Sequence, residues 1–178
     1  DMSQVADQSK VPTRRVLAML CAAQAAHEMQ EYARRDALVV RAREAMGDDP
    51  ALAAAVAMVE AELMLQENRP ADALALVAPL HDGGQRHVHS LRLALRAHRD
   101  LQQWGDVLKL SRTLAKRHAL QEAFSTEMIA IAAVERLRGA ADAAARREVW
   151  KELKPAERVL PDVAIAAADG FETDGEPA

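Results

Sequence analysis

The stretch "RPADALALVAPL", residues 69–80, contains the triplet that decides the fold. Similar triplets recur along the chain, as Asp36-Ala37-Leu38, Asp72-Ala73-Leu74, Asp106-Val107-Leu108 and Asp142-Ala143-Ala144. Successive copies are 36, 34 and 36 residues apart. An acidic residue followed by small or apolar residues is typical of a helix start, because the carboxylate faces the positive end of the helix dipole. The triplet therefore predicts the start of the second helix in a repeating two-helix unit.

Composition favours an all-helical protein. Apolar residues make up 50% of the 178 residues and aromatic residues only 3%. The abundant Ala, Leu, Glu, Arg and Gln are the residues that lose least entropy in helices. With 23 basic and 27 acidic residues, the chain lacks the basic excess of a nucleic-acid-binding protein, so we expect no nucleic-acid partner.

The single cysteine and the short apolar runs bear on two further classes of structure, those with disulfides or clustered thiolates and those with membrane-spanning helices. Cys21 alone excludes an intramolecular disulfide and any cage of several thiolates, and its apolar neighbours predict a buried thiol. The longest nearly apolar run, residues 16–26, is much shorter than the ~20 residues of a membrane-spanning helix. We therefore expect the chain as given to be soluble.

Turn and cap signals divide the chain into helical hairpins. Thr13 is a predicted N-cap, Gly47 a predicted C-cap, and Pro50 suits the first turn of a helix. The predicted layout is a flexible segment 1–12, a repeat domain 13–165 with hairpins at about 13–48, 50–82, 86–119 and 121–154, and an acidic disordered tail 166–178. In the third hairpin we expect the turn at Gln103-Trp104-Gly105. A hairpin with one apolar stripe cannot bury that stripe alone, so the hairpins are expected to stack.

The period and layout resemble the tetratricopeptide repeat, a helix-turn-helix unit of 34 residues. That repeat has small residues at two positions where the helices cross and apolar residues at three others. In the first hairpin these five positions are Ala26, Leu38, Met29, Ala42 and Ala45; in the second they are Ala61, Ala73, Met64, Val77 and Leu80; in the third they are Leu95, Val107, His98, Ser111 and Leu114. His98 and Ser111 depart from the pattern, and the fourth hairpin fits only with a longer turn. The resemblance implies a right-handed α–α superhelix, or solenoid, of about four hairpins.

A narrower resemblance rests on the turn "QQWGDVLKL", residues 102–110, and on "VWKELKP", residues 149–155. Over about residues 15–165 the chain resembles the soluble repeat region of the HemY family, proteobacterial inner-membrane proteins associated with late haem (protoporphyrin) biosynthesis. The resemblance implies an inner-membrane protein whose N-terminal anchor precedes this soluble portion. It also implies a non-catalytic scaffold near haem-pathway enzymes, with direct porphyrin or haem contact as a further implication. The family offers no catalytic residues to transfer.

Tetratricopeptide solenoids bind partners through a concave face formed by the first helix of each hairpin. In the third hairpin the residues at those positions form what we call the basic stripe: His89, Arg92, Arg96 and Arg99. Spacings of three, four and three residues place them on one helical face. Arginine forks bind carboxylates in bidentate fashion, which suits a peptide C-terminus, an acidic partner segment or porphyrin propionates. The alternative is an ordinary solvated charged face.

Three residues of the neighbouring hairpins are predicted to line the same concave face, namely Met58, Glu62 and Met128. The alternative for the methionines is ordinary core packing. Among the six histidines, His87, His89 and His98 are candidates for a transient haem contact, but no spacing predicts a metal site. Trp150 is predicted in the core, and Trp104 either packs on the preceding helix or anchors a partner.

The sequence contains no glycine-rich phosphate loop and no nucleophile elbow, so we expect no enzymatic activity. The predicted function is a HemY-like, protein-binding scaffold. The alternatives are a generic tetratricopeptide adaptor in envelope or secretion complexes and a carrier of porphyrin or haem. A last helix beginning near Pro161 would leave an open edge that suits self-association.

Overall fold

The computed structural model describes residues 12–82 and 87–173, and this part of the chain is entirely helical, without strands. Its ten helices are α1 Pro12–Glu28, α2 Tyr32–Ala45, α3 Pro50–Gln66, α4 Pro70–Asp82, α5 Val88–Asp100, α6 Trp104–Lys116, α7 Glu122–Arg138, α8 Ala143–Glu152, α9 Pro155–Arg158 and α10 Pro161–Thr173. The all-α prediction is confirmed. The flexible segment predicted for residues 1–12 lies outside the described residues except for Pro12, which begins α1.

The chain forms two compact units, Asp1–Ala97 and His98–Ala178, and the boundary falls within α5. In the first unit α1 pairs with α2, α3 pairs with α4, and both α1 and α2 contact α3. In the second unit α7 is central, because it packs against α6, α8 and α10. Within each unit the helices therefore pack as hairpins and against the next hairpin's first helix.

Most of the predicted repeat positions are buried. The crossing positions are buried in all three hairpins, including Ala26 at 2%, Ala61 at 0% and Ala73 at 1% relative exposure. Met29 is the most exposed of the predicted repeat positions, at 64%, because α1 ends one residue before it. Ser111, which departs from the apolar pattern, is nevertheless fully buried.

Three of the four acidic triplets lie at the starts of second helices, in two different ways. Asp72 and Asp106 lie in the first turns of α4 and α6, as predicted. Asp142 is instead the N-cap of α8, where its carboxylate accepts a hydrogen bond from the N–H of Ala145 (2.8 Å). Asp36 lies beyond the first turn of α2 and bonds the guanidinium of Arg35, so its predicted helix-start role is wrong.

One turn geometry closes the first helix of each of the first three hairpins. Gln30, Asn68 and Gln102 all have positive φ, at 60°, 58° and 57°. The residue after each donates its N–H to a carbonyl five residues back, in the pairs Glu31 to Ala26, Arg69 to Met64 and Gln103 to His98, each 2.8 Å long. This is the Schellman arrangement, which satisfies carbonyls at the helix end. The turn predicted at Gln103-Trp104-Gly105 is therefore one or two residues too late, since Trp104 already begins α6.

Cap predictions at the end of the first hairpin are confirmed. Gly47 has a φ of +58°, the left-handed conformation predicted for a C-cap glycine. Pro50 is the first residue of α3, and the carboxylate of Asp49 before it accepts hydrogen bonds from the N–H groups of Ala51 and Leu52. The predicted N-cap Thr13 is instead inside α1, which begins at Pro12.

Three further predictions need correction. Cys21 is exposed, because α1 turns its Ala22 and Ala23 side inward instead. The tail predicted as disordered from residue 166 is helical through Thr173, and Ala166 and Ala167 are buried; residues 174–178 lie outside the described part. Trp150 is half-buried rather than in the core, with its ring edge-on to Phe171 at 6.4 Å between centroids.

A buried ion pair fixes the short helix α9 to α6. Glu157 accepts hydrogen bonds from Nε (2.8 Å) and Nη2 (2.5 Å) of Arg112 and from the backbone N–H of Lys154 (2.8 Å). Burial alone would raise the pKa of Glu157, but these hydrogen bonds outweigh burial and hold the pKa below its ordinary value of 4.5. The carboxylate is therefore stabilised in its charged form.

Replacing Glu157 by Gln should lower the free energy of unfolding at neutral pH. We expect a loss of about 2 kcal/mol, less than for a fully buried pair because the Arg112 side chain is 23% exposed. Since the folded-state pKa is depressed, the stabilisation is present above pH 4.5 and lost as pH falls through the lower folded pKa. Urea unfolding measured across this pH range should show a smaller fall in the free energy of unfolding for the variant as the pH is lowered. Glu148→Gln, which removes an exposed carboxylate, is the control; equal losses in both variants would contradict the role of burial.

Ser111→Ala should raise the stability of the protein. The Ser111 hydroxyl is buried and has no hydrogen-bond partner among the described residues, so its desolvation is uncompensated. We expect a gain of about 1 kcal/mol in thermal or urea unfolding. Ser125→Ala is the matched control, because the Ser125 hydroxyl is also buried but donates to the carbonyl of Glu122 (2.9 Å). A larger gain for the control than for Ser111→Ala would refute this account.

Gln102→Gly should also stabilise the protein, although glycine usually weakens helical proteins. A left-handed residue with a side chain costs about 1–2 kcal/mol, and the extra unfolded-state entropy of glycine offsets about 0.5–1 kcal/mol of the relief. The expected net gain is about 0.5–1 kcal/mol. Gln103→Gly, at a φ of −84°, should instead destabilise, and the same sign for both variants would count against the strained turn.

Candidate functional site

The first candidate is the part of the basic stripe that lies in the first unit. His89, Arg92 and Arg96 are exposed on one face of α5. The opposite face is buried and consists of Ser90, Leu91, Leu93, Ala94, Leu95 and Ala97. Arg99 is on the same helix but belongs to the second unit, where its Nη2 pairs with Asp100 (3.1 Å). Helix α5 thus exposes two arginines and a histidine to solvent, while the residues on its opposite face are buried.

Hydrogen bonds connect this stripe to the first helices of the earlier hairpins. Nη2 of Arg96 donates to the carbonyl of Leu65, at the end of α3 (3.5 Å). One turn earlier on α3, the carboxylate of Glu62 accepts a hydrogen bond from Gln24 of α1 (3.1 Å). We call the surface formed by Gln24, Glu62 and Arg96 the first-helix surface. It is the surface on which the sequence places a partner.

The two methionines predicted beside the stripe differ in accessibility. Met58, in the first unit, is half-buried on α3. Met128, in the second unit, is only 5% exposed and belongs to the core. The prediction that Met128 lines a binding face is therefore wrong, because α7 is covered by α6, α8 and α10.

The histidines are spread over different environments. His87 and His89 are exposed at the start of α5, and Nδ1 of His98 lies 2.6 Å from Oε1 of Gln103. Within residues 12–82 and 87–173, no three His, Cys, Asp or Glu side chains are grouped so that they could hold a metal ion. The transient haem contact of His87, His89 or His98 therefore remains a prediction.

Ser90 of α5 and His81 of α4 lie within hydrogen-bonding distance of each other, but their geometry does not suit proton transfer from the serine to the histidine. Nε2 of His81 is 3.1 Å from Oγ of Ser90. The Ser90 hydroxyl donates its proton to the carbonyl of His87 (2.9 Å), so the histidine is not positioned to remove that proton. Ser90 is also fully buried, which keeps a substrate away from its oxygen.

One cavity in the described residues was not predicted from the sequence. It has a volume of about 490 Å³ and lies in the first unit between α2, α3 and α4. We call it the three-helix groove. Its lining is mostly apolar: Val39, Val40, Leu63, Met64, Ala75 and Leu76. The groove thus lies on the side of the second helices, away from the positions that the repeat pattern assigns to binding.

A network of hydrogen bonds centred on Arg35 forms one end of the three-helix groove. The guanidinium donates to Glu67 and Asp36 and contacts Nδ1 of His27 (3.0 Å). It also lies 5.2 Å from the ring centroid of Tyr32. The hydrogen bond from Arg35 holds the pKa of Glu67 below its ordinary value, although burial alone would raise it. This network joins the end of α1, the start of α2 and the end of α3.

The other end of the groove carries a single ion pair of unequal exposure. The Glu60 side chain is only 7% exposed, whereas its partner Arg43 is 56% exposed. A carboxylate buried on an apolar helix is costly unless it is paired, and Arg43 supplies that partner. Solvent therefore meets mainly a guanidinium at this end.

Sequence reasoning missed the groove for a physical reason. Its lining residues come from three helices, and each helix's periodicity shows only which side faces inward, not which sides meet. The available signal was the placement of Arg35 and Glu60 at positions that the helical periodicity makes internal. Both are buried, at 8% and 5% exposure.

Two smaller grooves lie in the second unit. One, of about 380 Å³, lies beside the Arg112–Glu157 pair and is flanked by Lys116 and Lys154. The other, of about 250 Å³, lies between α7 and α10 and contains the exposed Ile131 and Ile165.

Comparison with known proteins found no matching family model, no matching curated protein and no matching solved structure. Among the described helices, none combines the length and apolarity that crossing a membrane requires. The resemblance to the HemY family and the membrane anchor that it implies therefore remain predictions.

Proposed function

We propose that this protein is a non-catalytic, protein-binding scaffold built as a right-handed superhelix of tetratricopeptide-like hairpins. Two features support the repeat architecture: the pairing of helices as hairpins within each unit, and the identical turns at Gln30, Asn68 and Gln102. The observation that carries the binding role is the exposure of His89, Arg92 and Arg96 on the face of α5 opposite its buried residues.

The partner group that best fits the stripe is a carboxylate. Arg92 and Arg96 are four residues apart, which places their side chains on adjacent turns of one face. Each planar guanidinium can hold a carboxylate through two parallel hydrogen bonds. An acidic partner segment, or the C-terminus of a partner, would bind across both arginines. The net charge of −4 does not favour a nucleic acid as the partner.

The specific form of the proposal is a HemY-like protein. In this form the chain is the soluble portion of an inner-membrane protein whose N-terminal anchor lies outside the sequence given. Its partners are haem-pathway enzymes, which it holds near the membrane in late haem biosynthesis. The support is the likeness of residues 102–110 and 149–155 to that family. The more general form is an adaptor in envelope or secretion complexes.

A second candidate function is the transport of porphyrin or haem. It is favoured by one observation, the presence of an exposed histidine, His89, beside two arginines on the same face of α5. A porphyrin offers two propionates to the arginines, and haem also offers an iron to an imidazole. This candidate uses the same surface as the scaffold, so the same substitutions test both.

Titration of haem and of protoporphyrin into the purified protein should distinguish these functions. A carrier should shift the Soret absorbance at micromolar ligand, and the Arg92→Ala/Arg96→Ala variant should weaken binding by about 1–3 kcal/mol, the range for charge-assisted bonds. Arg138→Ala, which removes an exposed arginine from the second unit, should leave the affinity unchanged. An unshifted Soret band would eliminate the carrier.

The scaffold itself is tested by crosslinking. A photoreactive residue in place of Arg92 should form adducts with haem-pathway enzymes in inner-membrane preparations, whereas the same residue in place of Lys109, an exposed position on α6, should not. Equal adducts from both positions would remove the basic stripe from the proposal.

A further inference from the structure

The three-helix groove has the shape of a docking surface for side chains of another chain. Its volume of about 490 Å³ is within the ~300–1,000 Å³ typical of binding pockets. It is open to solvent and bounded by α2 and α4, with α3 as the floor. Val40, 48% exposed, leaves apolar surface at its edge that the described residues of the first unit do not cover. A linear segment laid along the groove would bury this surface.

Charge differs between the two ends of the groove. At the first end, Asp36 and Asp72 are 64% and 56% exposed. The charged residues of that end are Arg35, Asp36, Glu67, Arg69 and Asp72, two positive and three negative, which leaves one net negative charge. At the second end the exposed charge is the guanidinium of Arg43, because Glu60 is buried. A partner with its own charges is therefore oriented by the groove.

We propose that the three-helix groove binds an amphipathic helix of a partner protein, with a basic residue over Asp36 and Asp72 and an acidic residue over Arg43. Asp36 and Arg43 are seven residues apart on α2, about 10 Å at 1.5 Å per residue. Residues seven apart on a partner helix lie on one face at the same separation. Apolar residues between them face the lining of the groove. Both ends and the floor are then complementary to one helix.

This surface goes beyond the proposed function, because it is formed by α2, α3 and α4 and does not include the basic stripe. The residues of the intramolecular ion pairs have two different roles in the proposed binding. Arg35 is held by three side chains and is not available to a ligand, so it shapes the end of the groove. Asp36, Asp72 and Arg43 are more than half exposed and can add a second partner to the one each has.

The test uses a designed alanine-based helical peptide with Lys and Glu seven residues apart and two leucines between them, and a second peptide with Lys and Glu exchanged. Binding is measured by fluorescence polarisation. The first peptide should bind at least about tenfold more tightly than the second, equivalent to about 1.4 kcal/mol. Absence of binding by both peptides, or equal binding, overturns the proposal.

Two variants locate the binding. Val40→Glu places a charge at the apolar edge and should abolish binding; its exposure makes the change tolerable to the fold, as circular dichroism would check. Asp36→Lys/Asp72→Lys should reverse the preference between the peptides. Asp106→Lys, the same charge change at an exposed aspartate of α6, should preserve it. A preference that survives charge reversal in a folded protein contradicts the proposed orientation.

Two further measurements distinguish binding of a partner helix in the groove from binding at the basic stripe and from self-association. The Arg92→Ala/Arg96→Ala variant should bind the first peptide normally, so failure of the basic stripe and failure of the groove are distinguishable. Light scattering at increasing concentration tests whether a second copy of the chain occupies the groove instead. Dimers that disappear in Val40→Glu would overturn the partner helix in favour of self-association.

Discussion

The structure depends on the need to bury one apolar face of every helix with almost no aromatic side chains available. Aromatic residues are 3% of the chain, so the crossings are filled by small residues such as Ala61 and Ala73, which are almost completely buried. Small residues allow helices to approach closely, and close packing supplies the dispersion contacts that large side chains would otherwise give. No single hairpin satisfies this constraint, so each unit contains several helices packed together.

Charged side chains complete the packing at the ends of helices. Arg35 joins α2 to Glu67 at the end of α3, and Arg112 joins α6 to Glu157 in α9. In both pairs one or both partners are largely buried, so loss of either partner would leave an uncompensated charge. The main effect of these pairs is therefore to determine which helix ends contact each other, and their net contribution to stability is smaller.

The first unit presents two chemically different surfaces. The first-helix surface includes Arg96 and has Arg92 beside it, and these basic groups are suited to carboxylates. The three-helix groove combines an apolar lining with opposite charges at its ends. Helices joined as hairpins separate these surfaces naturally, because first and second helices alternate and each exposes the side that does not pack. The first unit therefore has two separate surfaces that differ in their charges.

The sequence by itself determined the helices, their approximate bounds and most crossing residues, because a 3.6-residue apolar period and cap residues are local signals. It also placed Arg92 and Arg96 on an exposed face. The sequence did not predict the turns at Gln30 and Gln102, because they lack the glycine that usually marks a left-handed residue, although the hydrogen bonds that close them are local. The exposure of Cys21, the burial of Met128 and the three-helix groove were decided only by which helices pack together. Periodicity gives each helix an inner side, but contacts between distant segments determine what covers it.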